Sequence, residues 1–184
     1  MTESIREEHP EAGIVGGARE ERLQQGSIAE NVQVVEFLLG KEHFAIDLFD
    51  VREVVEYTTI TKLPNTPSYI RGIIDLRGEI TTIIDLKEQM NIRADIEVKD
   101  DDSRIIVLDD RITRSKIGIM VDDVSSVSTF SLAQVDKTAI AETSADAHII
   151  GIIKKKTKIK EKDITELIIW IDIRHLLGTI NHTA

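Results

Sequence analysis

The chain has no cysteine, which removes disulfides, thiolate metal sites and cysteine nucleophiles from consideration. Aromatic residues make up only 4% of it, too few to line a sugar pocket or to stack the bases of a single-stranded nucleic acid. Acidic residues outnumber basic ones, 33 Asp and Glu against 23 Lys and Arg. The formal net charge is -10, so the molecule as a whole is repelled by nucleic-acid phosphates and by anionic membrane surfaces. No apolar run approaches the length of a membrane span, and the opening "MTESIREEHPEAG" lacks the basic segment and apolar core of a signal sequence. The expectation is a cytosolic protein with no direct membrane insertion. Dinucleotide-fingerprint, P-loop and nucleophile-elbow patterns are missing too.

What remains is aliphatic. Hydrophobic residues are 41% of the 184 positions, nearly all Ile, Val and Leu, enough for one ordinary domain or two small ones that share a core. Residues 1 to 31 mix Gly, Glu, Gln and Arg with single aliphatics and read as a mobile tail. From Val32 onward, β-branched runs of strand length alternate with polar or glycine turns: "VQVVEFLL", "HFAIDLF", "IRGIIDL", "EITTIIDL", "RIIVLDD", "KIGIMVDDV", "HIIGII" and "ELIIWIDI". Helical periodicity is confined to "DLKEQM" and "IRHLLG", the second expected to stop at Gly178.

The chain also repeats itself. "DVREV" at Asp50 is echoed by "DVSSV" at Asp123, the "GII" at Gly72 by that at Gly151, and "IIDLK" at Ile83 by "WIDIR" at Trp170, all in the same order. Such ordered echoes predict a duplicated five-strand unit. Antiparallel units of this size protect their edges by curling into small barrels. The predicted fold is mostly β: two small five-stranded barrels in pseudo-two-fold relation on a shared aliphatic core, with a short C-terminal helix. The first unit spans approximately residues 32–95 and the second 103–178, with strand exchange between them allowed and residues 179–184 as a tail.

No side-chain constellation points to catalysis. His9, His43, His148, His175 and His182 show no ligand spacing, and "KDDDSR" from Lys99 lacks the spacing of a calcium loop and reads as a solvated linker. No metal or cofactor is expected. The one basic stretch is "KKKTKIKEKD". In a strand, Lys154, Lys156, Lys158, Lys160 and Lys162 would share a face, as a docking ribbon for an acidic partner or as protection for a sheet edge. A nucleic-acid-binding double barrel using that hairpin is the alternative function, weakened by the lack of interleaved aromatics. Gly72, Gly78, Gly118 and Gly151 are expected at turns or close strand approaches, and Glu53, a carboxylate among aliphatics, must face solvent or a cation.

The run "LPNTPSYIRGIIDLRGEITTIIDL" from Leu63 to Leu86 resembles the signature of the CheW family of chemotaxis adaptors. "FAIDLFDVREVVEY" looks like that family's second strand, and "KIGIMVDDVSSV", "IIGII" and "IIWIDIRHLL" occupy the places of its later segments, so residues 32 to 178 are covered. Asp75 and Thr82 depart from the family's usual Asn and Pro. The resemblance implies two SH3-like barrels without enzymatic activity, monomeric when free. The implied partners are the regulatory domain of a CheA-type histidine kinase and the cytoplasmic tip of a chemoreceptor (methyl-accepting chemotaxis protein). Carried over by motif position, Leu48, Val51, Glu53 and Val54 would meet the kinase; Gly72, Arg77, Val121, Asp122 and Val124 would serve the receptor.

Overall fold

A computed structural model describes residues 30–92, 99–113, 115–138, 148–159 and 162–180. All but the last two residues of the expected 1–31 tail, and the end of the expected 179–184 tail, lie outside the described residues, as do His9, Lys160 and His182. Among the described residues eleven strands follow in order: β1 (Asn31–Leu39), β2 (Glu42–Asp47), β3 (Val51–Glu56), β4 (Ile70–Leu76), β5 (Glu79–Asp85), β6 (Arg104–Leu108), β7 (Ile117–Val121), β8 (Asp123–Ser131), β9 (Val135–Asp136), β10 (Ile149–Ile159) and β11 (Lys162–Ile171). The helix α1 (Leu86–Gln89) follows β5, and α2 (Ile173–Ile180) follows β11. Gly178 does not end α2. It is absent from the positive-φ glycines, so the helix passes through it to Ile180.

The strands form two sheets, one ordered β3-β6-β7-β5-β4 and the other β8-β1-β2-β11-β10-β9. The second order is the first rewritten by repeat, with β8 for β3, β1 for β6, β2 for β7, β11 for β5 and β10 for β4. Parallel pairing falls at the same joint in each, β5 with β7 and β11 with β2. Both final hairpins carry a bulge at the echoed glycine, between Ile70 and Gly72 and between Ile149 and Gly151. The extra strand β9 has its counterpart in the single bridge between Thr61 and Ile73.

Each sheet borrows a hairpin from the other half of the chain: β6–β7 sits in the five-stranded sheet and β1–β2 in the six-stranded one. The chain crosses between sheets at two short breaks. The first is the 3-10 turn Leu48–Asp50, begun by Asp47, whose carboxylate accepts from the Phe49 amide at 2.9 Å. "FAIDLFDVREVVEY" is therefore two strands in two sheets, and Val51, Glu53 and Val54 lie on β3 rather than on a second strand. The other break is Asp122, between β7 and β8.

Alternation within the strands produces three apolar clusters. One set of faces meets between the sheets: Phe37, Leu39 and Ile46 from one sheet, Ile84, Ile106, Leu108 and Ile119 from the other, closed by Leu176 and Leu177 of α2. The opposite faces make separate interiors. Val34, Ala45, Phe130, Ile153, Ile168 and Trp170 fill the six-stranded sheet, and Ile74, Ile83, Ile105, Val107 and Met120 the five-stranded one.

Candidate interaction surface

The tip of the β4–β5 hairpin is a two-residue turn in which both central residues are left-handed, Arg77 at φ 56° and Gly78 at φ 84°. That geometry matches strand twist and suits Gly or Asn better than Arg. Asp75 fastens the turn by accepting from the Gly78 amide at 2.6 Å, so its carboxylate has a structural role here. Thr82, the other departure from the family pattern, donates its amide to the Lys116 carbonyl at 2.9 Å, a bond that proline cannot make.

Arg77 reaches Glu53 on β3 through two contacts, Nη2 to Oε2 at 2.8 Å and Nη1 to Oε1 at 3.3 Å. β3 and the β4–β5 hairpin stand at opposite ends of the five-stranded order, so this pair draws the sheet's two ends together. Arg52 does the same to Glu79 at 3.1 Å. Glu79 and Asp110 also receive Lys116, and hydrogen bonding to Asp110 raises the Lys116 pKa above its usual value. Of the four kinase-side candidates, Val54 is exposed at 41%, Leu48 and Val51 are half-buried against the intersheet core, and Glu53 is held by Arg77.

The receptor-side candidates divide differently. Arg77 is exposed, but Val121 and Asp122 are buried and Val124 packs against the intersheet core, so Val121 and Asp122 present no contact surface here. Asp122 instead accepts from the Gly40 amide at 2.6 Å and from Lys87 of α1 at 2.5 Å. Its counterpart at the other crossing, the buried Asp50, accepts from Arg174 of α2, with Nε at 2.8 Å, which also raises the Arg174 pKa. Gly72 is dictated by space: at φ 143°, a Cβ there would lie 2.2 Å from the Thr61 carbonyl oxygen. Gly118 and Gly151 are close approaches rather than turns, their Cβ positions 2.8 Å from Ile105 and 2.5 Å from Val135.

The lysine ribbon is only partly as expected. Lys154, Lys156 and Lys158 share an exposed face, but the chain reverses after Ile159 and pairs that residue with Lys162, placing Lys162 on the opposite face. Lys154 binds Asp136 at 2.7 Å, and this bond holds the Asp136 carboxyl well below the usual range. Lys155, outside the expected row, points inward to the carboxylate of Glu36, which is 1% exposed, at 2.7 Å. Two of the lysines thus neutralise acids of the same chain, which weakens the nucleic-acid alternative. His43 meets Glu166 at 3.0 Å, while His148 and His175 contact each other with ring centroids 4.7 Å apart.

Sequence reasoning passed over the two most exposed large apolar side chains among the described residues, Phe49 at 65% and Ile80 at 60%. Phe49 was hidden in a run that alternation assigns to a strand. Ile80 does carry a signal, since it stands second in β5, just past the Arg77–Gly78 turn, where a strand has few neighbours to bury it.

The fold and this surface define a class: a two-sheet β domain with repeated strand order, in which an ion pair joins β3 to the β4–β5 tip and exposed Val54 and Ile80 lie on those same elements. The model of the CheW-like domain matches residues 33–181, and the chain belongs to that family. It is 32% identical over 131 residues to the chemotaxis protein CheW of Treponema pallidum (strain Nichols), covering 70% of this chain and 76% of that one. To the chemotaxis protein CheW of Klebsiella aerogenes it is 32% identical over 117 residues, covering 63% and 68%. The crystal structure of the scaffolding protein TtCheW from Thermoanaerobacter tengcongensis superposes with a TM-score of 0.64 at 35% identity, covering 80% of this chain and 88% of that one.

Proposed function

We propose that this chain is a non-enzymatic chemotaxis scaffold that holds a CheA-type histidine kinase, through its regulatory domain, beside the cytoplasmic tip of a chemoreceptor. The observation that carries this is family membership over residues 33–181, supported by the exposed Arg77 turn, paired with Glu53, on the stretch that resembles that family's signature. In this reading the chain is a free monomer recruited to receptor arrays at the inner face of the membrane. It consists of two barrel units, approximately 32–95 and 103–178, which exchange hairpins. Val54 and Phe49, the latter in the turn that leads into β3, supply apolar contact to the kinase, and Leu48, Val51 and Glu53 shape that surface from behind. Arg77 supplies a multidonor cation for a receptor carboxylate, with Gly72 holding the hairpin bulge; Val121, Asp122 and Val124 act as positioning residues. Scaffolding makes kinase activity depend on receptor state, a coupling on the order of 1–3 kcal/mol in such systems.

Co-sedimentation with a receptor cytoplasmic fragment and a CheA-type kinase tests this. The wild type enters the complex with both partners, Glu53→Lys loses the kinase, and Arg77→Ala loses the receptor. A wild type that sediments with neither partner overturns the proposal.

A further inference from the structure

The hairpin of β10 and β11 outruns both of its neighbours. Among the described residues of this hairpin, β9 pairs only with Ile152 and Ile153, and β2 only with Ile168 to Trp170. Among the described residues, Lys154–Ile159 and Lys162–Leu167 therefore pair only with each other. A strand edge with open donors and acceptors is a template for an added strand. On the β9 side this edge borders a cleft lined by Phe130, Ala133, Gln134 and Lys154 to Lys156. The cleft exists because the chain bends away in the 3-10 turn Leu132–Gln134, just before β9, instead of running on beside β10.

Charge tells what would fit there. Lys154 and Lys155 are committed to Asp136 and Glu36, whereas Lys156 and Lys158 are exposed and make no ion pair among the described residues. They repeat along the strand at about 6.8 Å, the spacing of alternate side chains on an added strand. Across the ladder from Lys154 stands Leu167, 56% exposed, so the edge offers cations beside apolar surface. A nucleic acid has no amide ladder with which to pair such an edge; a polypeptide has one.

We propose that the free edge of β10 accepts an extended acidic segment of a partner polypeptide. Its carboxylates at alternate positions meet Lys156 and Lys158, and an apolar side chain enters the cleft over Phe130. This inference is separate from the kinase and receptor contacts above, which lie on the other sheet.

Fluorescence anisotropy on the full chain tests it. The probes are a labelled peptide alternating Glu and Val, the same peptide with two internal valines replaced by proline, and a single-stranded oligonucleotide of equal charge. The first peptide is expected to bind saturably. Its affinity should fall about tenfold in Lys156→Glu/Lys158→Glu, whose exposed positions leave the fold intact, and stay unchanged in Lys62→Glu. Proline interruption should weaken binding similarly by removing edge hydrogen bonds. The proposal is overturned by no saturable binding, by equal loss in Lys62→Glu, by equal affinity for the proline peptide, or by an oligonucleotide that binds as tightly.

Discussion

Arg77 occupies a backbone conformation that costs an L-residue roughly 1–2 kcal/mol, and its ion pair with Glu53 joins a side chain 75% exposed to one 21% exposed, a contact worth less than about 1 kcal/mol. The two effects can be separated by substitution. Alanine keeps the strain and loses the pair, whereas asparagine loses the pair but tolerates the left-handed region. Arg77→Asn is therefore expected to be more stable than Arg77→Ala by about 1 kcal/mol in urea denaturation, with receptor binding lost equally in both. Binding loss that instead follows stability would make Arg77 a structural residue only. Asp109 offers a test by pH. Hydrogen bonds from Arg111 hold its carboxyl at about 2, below the ordinary 3.8. A folded-state pKa lowered in this way contributes stability that is present above 3.8 and lost as pH falls through about 2. Asp109→Asn should accordingly be less stable than wild type near neutrality and indistinguishable from it below about pH 2; thermal melts across that range check this, and a gap that persists in acid refutes it.

At the scale of elements, hairpins and their bulges carry the fold, and glycines with different physical reasons should fail differently. Gly78 has open space around its Cβ position and needs only its positive φ, so Gly78→Ala should cost about 1 kcal/mol. Gly72→Ala adds a collision with the Thr61 carbonyl and should cost about 4 kcal/mol or prevent assembly; equal melting points for the two would remove the explanation. Inside the six-stranded sheet, Lys155 reaches across from β10 to Glu36 on β1. Breaking that pair strands a buried carboxylate, so Lys155→Met should cost about 3 kcal/mol, while Glu36→Met with Lys155→Met should recover most of the loss. Urea denaturation of the single and double variants decides it. Element order was legible in the sequence because echoed motifs and alternation are local: "IRGIIDL" is β4 residue for residue. Lys155 and the misplaced Lys162 were not, because facing across a hairpin depends on where the chain reverses, and two lysines in a run of charge look alike.

For the whole molecule, the repeat was readable but the exchange of hairpins was only an allowed possibility. Pairing between β1 and β8, or β6 and β3, joins segments far apart in sequence, and their Ile/Val patterns suit several partners. The consequence of exchange is that the chain crosses twice between sheets, and each crossing holds a buried aspartate met by a cation from the opposite sheet's helix. Asp122 meets Lys87 of α1, and Asp50 meets Arg174 of α2. Lys87 is 19% exposed and Arg174 58%, yet both acids are buried. The cost of losing either cation is set by the acid left behind, so Lys87→Met and Arg174→Met should each cost about 2–3 kcal/mol. Because each pair ties one sheet to the other, in the proposed scaffold these variants should also loosen the fixed relation between the surface proposed for the kinase and the rest of the molecule. Binary sedimentation with kinase or with receptor should survive, while receptor control of kinase activity in the ternary complex should fall. A ternary complex whose kinase still follows the receptor fully, despite the measured loss of stability, would mean that the two crossings hold the fold together without transmitting the signal.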